Sequence, residues 1–230
     1  MNGIETRRPL WRSPLLWVLA GSIVILYGFA RFASEVIERE TKPFDVAVRS
    51  WVMAHRPSAL LTAFGAITQL GSWIGLSVAA AIVVAILLRR GAHKRPLIVA
   101  AAPFAFSFVI YLLKGWYRVT RPPAGLTSAL TFSFPSGHTS GSTAVFCVIG
   151  YVLSCENVVP RSVGWAIACV IPFAVGLSRI FLDAHWASDV IGGWMIGAGY
   201  AAAVCVLYDH TRHLSQVHSR NERDPSLLPR

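Results

Sequence analysis

The sequence predicts an all-α protein: an integral membrane bundle of six transmembrane helices, with short outer amphipathic helices between the first and second. Three observations lead there. Of 230 residues, 54% are hydrophobic and only 14% charged, which leaves too little polar surface to cover a soluble globule of this size. The apolar residues are clumped into runs at 14–30, 72–88, 96–113, 139–153, 162–177 and 190–208. With flanking residues, each approaches the roughly 20 residues a membrane-crossing helix requires. Finally, the basic residues alternate between the connecting segments, as they do in a multi-pass membrane protein.

The net charge of +10 does not point to nucleic acid, because the cations line no single face. With the N-terminus inside, the inner segments hold Arg7, Arg8, Arg12, Arg89, Arg90, Lys94, Arg95, Arg161, Arg212, Arg220, Arg223 and Arg230. The outer segments hold Arg31, Arg39, Lys42, Arg49, Arg56, Lys114, Arg118, Arg121 and Arg179. Lys114, Arg121 and Arg179 have a chemical reason to be there, set out below. Discounting them, the excess favours both termini in the cytoplasm of a bacterial-type cell, with the protein in the inner membrane. A single domain is expected over 1–208, its motif-bearing core at 96–208, followed by a flexible cytoplasmic tail at 209–230.

The first run follows Arg7, Arg8 and Arg12 like a signal peptide. It is long for an h-region and lacks a clean small-x-small cleavage site, so it reads as a span. The segment 34–71 is too polar to cross and too apolar for a plain loop. Phe44, Val48, Trp51 and Val52 recur at helical spacing, as do Leu60, Phe64 and Ile67 after the break at His55, Arg56 and Pro57. Two short helices lying at the outer membrane surface are expected. Gly193 and Gly197, four apart in the last span, predict a close helix approach. Cys147, Cys155, Cys169 and Cys205 have neither zinc spacing nor an outer pair for a disulfide, and read as small apolar filler. His210, His213 and His218 follow no ligand spacing. Beyond a short helical extension the tail has no periodicity.

The chemistry lies in three clusters at the outer ends of the spans. Lys114 and Arg121, seven apart, would share one face of a continuing helix before Pro122 and Pro123 stop it. Such a pair fits a phosphate clamp, the guanidinium as a fork and the ammonium as a point charge. Arg118 reads better as a side chain snorkelling to the headgroups. Pro135, Ser136, Gly137 and His138 open the fourth span, where free helix-start amides favour an anion and His138 could give a proton to a leaving oxygen. His185 and Asp189 are one helical turn apart, so the carboxylate can hold one imidazole nitrogen and leave the other as a lone pair. Arg179 could add a third cation. Asp183 falls on the wrong face and reads as a solvated or capping acid.

The run from Lys114 through Arg121 and Pro122, the run Pro135, Ser136, Gly137, His138, and the run Ser178, Arg179 through His185 to Asp189 resemble the three signature motifs of the type 2 phosphatidic acid phosphatase (PAP2) superfamily. No motif position departs from that pattern, and the motif-bearing region covers roughly 96–208. The resemblance implies a metal-independent hydrolase without a cofactor. His185 would attack phosphorus and form a phosphohistidine, oriented by Asp189. His138 would serve as general acid and then base. Lys114, Arg121, Ser136, Gly137 and Arg179 would hold the phosphoryl oxygens. The expected partners are a membrane lipid phosphate and the bilayer itself, with no nucleic acid. Oligomeric state is not specified by the sequence.

Soluble vanadium haloperoxidases and glucose-6-phosphatase-like enzymes share the constellation, but the spans and a site at the bilayer edge favour a lipid substrate. The alternative from another class is a non-catalytic lipid-phosphate binding or transport protein on the same fold, for which His138, His185 and Asp189 would be superfluous. Undecaprenyl diphosphate, phosphatidylglycerol phosphate, phosphatidic acid and a lipid A-like glycolipid phosphate all remain candidate substrates. A site facing the periplasm leans toward isoprenoid diphosphate, and the short loop between Arg121 and Pro135 toward broad lipid phosphate specificity.

Overall fold

The computed structural model describes residues 14–92, 95–123 and 132–223, with the side chains of 14–19 and 213–223 outside that description. The described residues form eight α-helices and one 3-10 turn, without a strand: α1 Pro14–Ile37, α2 Lys42–His55, α3 Ser58–Ile67, the turn Thr68–Gly71, α4 Trp73–Arg89, α5 Arg95–Tyr117, α6 Gly137–Cys155, α7 Arg161–Phe181 and α8 Ala187–Arg223. The two helices expected between the first and second spans are α2 and α3. Segment 124–131, the loop read as short, and the side chains of His213 and His218 lie outside the described residues.

Four of these helices, α1, α5, α7 and α8, are long and apolar enough to cross a membrane. A fifth crossing is available if α3 with its 3-10 turn and α4, bent by 55° at their junction, count as one broken span. Ser72 makes that bend. Its hydroxyl accepts from Gly75 N at 3.1 Å and donates to Gln69 O at 2.7 Å, so it caps α4 while closing the turn before it.

α6 is the expected span that does not meet the same apolar standard, and its position explains why. It runs through the centre of the bundle between α4, α5, α7 and α8, and its residues from Thr139 to Phe146 are buried without exception. A helix sheathed in protein has no lipid to match, so it can carry polar residues provided they are satisfied. They are: Ser142 Oγ and Thr143 Oγ1 donate to Thr139 O at 2.9 and 2.8 Å, and Ser140 Oγ to Gly137 O at 3.3 Å. Further along, Val145, Val148, Ile149 and Val152 pack against Leu76, Val83 and Leu87 of α4, Val99 of α5, and Val204 and Tyr208 of α8. By contrast Ile23, Ile74, Leu97, Tyr111 and Val170 stand out from the bundle, as side chains facing lipid would.

Close approach depends on missing side chains. A Cβ on Gly197 would lie 2.6 Å from Ser140 O and 2.7 Å from Thr143 Cβ, and one on Gly193 would lie 3.0 Å from Thr139 Cβ. The Gly193 and Gly197 pattern therefore seats α8 on α6, as the spacing predicted. Elsewhere on α6, Gly150 meets Gly164 and brings α6 and α7 together in the same way, with a Cβ on Gly150 falling 2.2 Å from Gly164 O.

At the end of the bundle remote from the three clusters, Glu156 gathers α4, α5, α6 and α8. Its carboxylate pairs with Arg95, accepts from Tyr208 Oη at 3.0 Å and lies 3.7 Å from Arg212 Nε, while Arg90 donates to its carbonyl at 2.6 Å. α8 then runs on to Arg223, a longer helical extension than the aperiodic tail led one to expect. The four cysteines are free thiols.

Gly197→Leu should lower the thermal midpoint of the purified protein by an amount equivalent to about 1–3 kcal/mol, the scale of overpacking. Gly65→Ala, where a Cβ meets nothing within 4 Å, should be neutral or slightly stabilising.

Candidate active site

Three chain segments at one end of the bundle are laced together by backbone and side-chain hydrogen bonds. α5 stops at Tyr117, and Arg118 turns the chain with a φ of 51°, its amide bonded to Lys114 O at 3.1 Å. The helix therefore does not continue to Arg121, contrary to the expectation from spacing. Residues 119–122 instead run outside any helix, and Arg121 reaches the site from that segment. Ser133 N donates to Val119 O at 2.7 Å, Trp186 Nε1 to Thr120 O at 2.9 Å, and Ser136 N to Asp189 O at 3.0 Å. Convergence of Lys114 with Arg121 survives the helix break because both side chains reach the same carbonyl: Lys114 Nζ lies 2.6 Å and Arg121 Nη2 3.5 Å from Phe132 O.

His185 sits in the connection just before α8 and is buried. Its Nδ1 is 3.1 Å from Asp189 Oδ2, and its Nε2 is 3.0 Å from Arg121 Nη1, which also donates to Ala184 O at 2.8 Å. A guanidinium has donors only, so Nε2 must be the acceptor and carry the lone pair. Nδ1 then bears the proton and donates to the carboxylate. Burial, followed by the positive charges of Lys114, Arg121 and Arg179, holds the imidazole well below its ordinary range, so it is neutral at neutral pH.

Asp189 is completely buried at the first turn of α8. Its Oδ2 also accepts from Trp186 N at 2.9 Å, one half of a capping box, and from the Ser133 hydroxyl. Ser133 Oγ lies 3.3 Å from His185 Nδ1 as well, so one buried hydroxyl touches both members of the dyad. Sequence reasoning passed over Ser133, since a serine two residues before Pro135 carries no spacing signal. Its only clue was proximity to the second cluster.

The other predicted residues gather around this dyad. Ser136 caps α6, accepting from Thr139 Oγ1 at 3.0 Å and from Thr139 N at 3.5 Å, which leaves its own proton to donate. Gly137 lies beside Lys114, whose Cε would be 3.8 Å from a Cβ at that position. His138, in the first turn of α6, interacts electrostatically with Arg179, His185, Arg121 and Lys114. Arg179 is buried, donates from Nη1 to Thr68 Oγ1 at 2.9 Å, and has a buried Nε without a hydrogen-bond partner among the described residues. Arg118 stands apart, with Nε donating to Gly115 O at an exposed position. Asp183 is a correction: it is neither solvated nor a helix cap. It is buried and paired with Arg49, both of whose contacts are 2.8 Å long. Among the described residues no three His, Cys, Asp or Glu side chains group as metal ligands would.

Comparison with known proteins places this arrangement. The family model of the PAP2 superfamily matches residues 15–212. The chain belongs to the PAP2 superfamily. Its fold superposes on the crystal structure of a transmembrane PAP2-type phosphatidylglycerolphosphate phosphatase from Bacillus subtilis with a TM-score of 0.74 and 26% identity, over 80% of this chain and 93% of that one. It is 32% identical to the decaprenylphosphoryl-5-phosphoribose phosphatase of Mycobacterium tuberculosis over 69% of this chain and 85% of that protein. It is 38% identical to phosphatidylglycerophosphatase B of Bacillus subtilis over 92 residues, 37% of this chain, a match that spans 44% of that relative's length. As a PAP2 protein it is a multi-pass membrane phosphatase of the hydrolase class.

Ser133→Ala removes a hydrogen bond to a buried charge, an interaction of about 1.5–3 kcal/mol. Turnover of a lipid phosphate should fall roughly 10- to 100-fold, with KM changing far less. Initial rates across a substrate series check this, and wild-type turnover would remove Ser133 from the dyad.

Proposed function

We propose that the protein hydrolyses a lipid phosphate or diphosphate through a phosphohistidine on His185, without a metal or other cofactor. The observation that carries this reading is the lone pair on His185 Nε2, aimed at Arg121 while Nδ1 is held by Asp189. In the first half-reaction Nε2 attacks phosphorus, the bond from phosphorus to the lipid oxygen breaks, and the leaving oxygen takes a proton from His138. In the second, His138 removes a proton from water, the resulting hydroxide attacks phosphorus, and cleavage of the phosphorus–nitrogen bond releases inorganic phosphate and restores the lone pair.

Lys114, Arg121, Arg179, Ser136 and the Gly137 amide are the proposed ligands of the nonbridging oxygens. Charge spreads over those oxygens in the transition state, and donors already fixed around them lower the barrier without reorganising. The partnerless Nε of Arg179 supports the assignment, since a buried charged donor without an acceptor is costly and a phosphoryl oxygen would satisfy it. Three cations in one place already supply the positive charge a metal would bring. His138 and Asp189 justify an enzyme over a mere binding protein, because binding needs neither a proton donor nor an oriented nucleophile.

The proposal extends to placement. A single domain at 1–208 would have six crossings, with α4 and α6 added to α1, α5, α7 and α8. Both termini and the tail at 209–230 would be cytoplasmic, with the site facing the periplasm of a bacterial inner membrane. The named activities of the relatives, on phosphatidylglycerophosphate and on decaprenylphosphoryl-5-phosphoribose, motivate a substrate with a phosphate presented at the bilayer edge. An isoprenoid carrier phosphate or diphosphate fits an outward-facing site.

Purified protein in detergent should release phosphate from lipid phosphates in the presence of a chelator, and a strict requirement for added divalent metal would contradict the mechanism. His185→Ala should abolish release while Arg118→Ala retains most of it. The opposite ranking would overturn the assignment of cations. Because His185 is held neutral, the acid limb of kcat/KM attributable to the nucleophile should lie below about 6.5. A release panel over undecaprenyl diphosphate, phosphatidylglycerol phosphate, phosphatidic acid, a lipid A-like phosphate and decaprenylphosphoryl-5-phosphoribose identifies the substrate class.

A further inference from the structure

The segment between α1 and α4 contributes none of the proposed catalytic or phosphate-binding residues, yet its polar side chains converge on the connection that carries His185. Asp45 of α2 is buried, and it grips the start of α8 with both oxygens: Oδ1 accepts from Ser188 N at 2.8 Å and Oδ2 from Ser188 Oγ at 2.7 Å. Ser188 is the residue before Asp189. One turn further along α2, Arg49 Nε and Nη2 each donate at 2.8 Å to the two oxygens of Asp183, in the parallel geometry that best suits guanidinium and carboxylate. Asp183 stands at a φ of 53°, where the chain leaves α7. Arg56 donates to Phe181 O at 2.9 Å, and Lys42 Nζ lies 3.6 Å from the ring centroid of Trp186. Residues 181, 183, 186 and 188 are thus all held by this one segment, with His185 between them. Arg121 and Thr120, from the segment after α5, hold Ala184 and Trp186.

A buried carboxylate is an expensive way to pack two helices, and apolar residues of similar volume would do so at lower cost. What two bidentate contacts supply is a fixed position. We propose that α2 is a positioning strap, in which Asp45 and Arg49 set the height and orientation of the connection 182–188 so that His185 Nε2 faces Lys114, Arg121 and Arg179. Asp45 and Arg49 are positioning residues that act through Ser188 and Asp183. The inference rests on His185 as the nucleophile. It assigns a catalytic purpose to the helix pair that precedes the second span.

The test is steady-state kinetics of the full-length protein in detergent micelles, using the best lipid phosphate from the panel above, with thermal midpoints in parallel. Asp45→Ala and Arg49→Ala should each lower kcat about 10- to 100-fold, the scale of an ångström-level misplacement, with KM within about threefold of wild type at that same scale. Asp45→Asn, whose amide can still accept from Ser188 N and donate to Ser188 Oγ, should recover most of the loss. Arg49→Ala combined with Asp183→Asn should be no worse than the more severe single change, since both break one link. If Asp45→Ala fails to fold, Ser188→Ala and Asp45→Asn carry the same test, Ser188→Ala being the more damaging of the two. A fall in thermal midpoint with kcat unchanged in the folded variants would overturn the strap, as would additive losses at Arg49 and Asp183. Failure of the underlying reading looks different: His185→Ala would then keep wild-type turnover.

Discussion

Everything at the functional end of this molecule depends on keeping three cations close to one neutral imidazole. Like charges repel, and beside apolar spans that repulsion is poorly screened. The described hydrogen bonds of Lys114, Arg121 and Arg179 go to carbonyl oxygens, an imidazole nitrogen and a threonine hydroxyl. Those neutral acceptors fix the cations in place. The nearby carboxylate of Asp189 takes His185, Ser133 and Trp186 at Oδ2. The result is a concentration of positive charge around one imidazole, the feature on which the proposed phosphate site rests.

The fold is organised to build and carry that concentration. α6 places a polar, hydroxyl-rich first half where lipid cannot reach it, and Gly193 and Gly197 let α8 lie against it closely enough for Ser136 N to reach Asp189 O. Phe29 of α1 stacks on Phe134 with ring centroids 5.9 Å apart, backing the segment that holds Ser133. At the far end, Glu156 pairs with Arg95 and Arg212 and ties four helical elements together. One end uses opposite charges to hold helices together, and the other gathers like charges around one imidazole.

Much of this was legible in the sequence, and the failures have physical causes. Spacing announced the helices between the first two spans, the glycine contact of α8 on α6, and the pairing of His185 with Asp189, because helical periodicity makes those relations local. Hydropathy marks 139–153 as a span without showing that α6 is sheathed in protein, since it reads composition and not what surrounds a helix. The seven-residue spacing predicts Lys114 and Arg121 on one continuous helix, whereas Arg118 breaks it at a positive φ and the convergence is achieved through Phe132 O. Spacing makes Asp183 look like a solvated or capping acid, and Ser133 carries no spacing signal. Their partners, Arg49 and the dyad, lie 134 and 52 to 56 positions away, and no local pattern encodes contacts at such range.

Membership of the PAP2 superfamily fixes the chemical class, and the side-chain geometry supports the proposed route. The proposed route turns on a covalent bond between His185 Nε2 and phosphorus. The most direct measurement is rapid-quench trapping with a substrate labelled at phosphorus, followed by mapping of the labelled peptide. The account predicts an acid-labile, base-stable phosphoramidate on His185 that forms before phosphate is released. Stoichiometric phosphate release with no labelled protein at any quench time, or label on a residue other than His185, would contradict it.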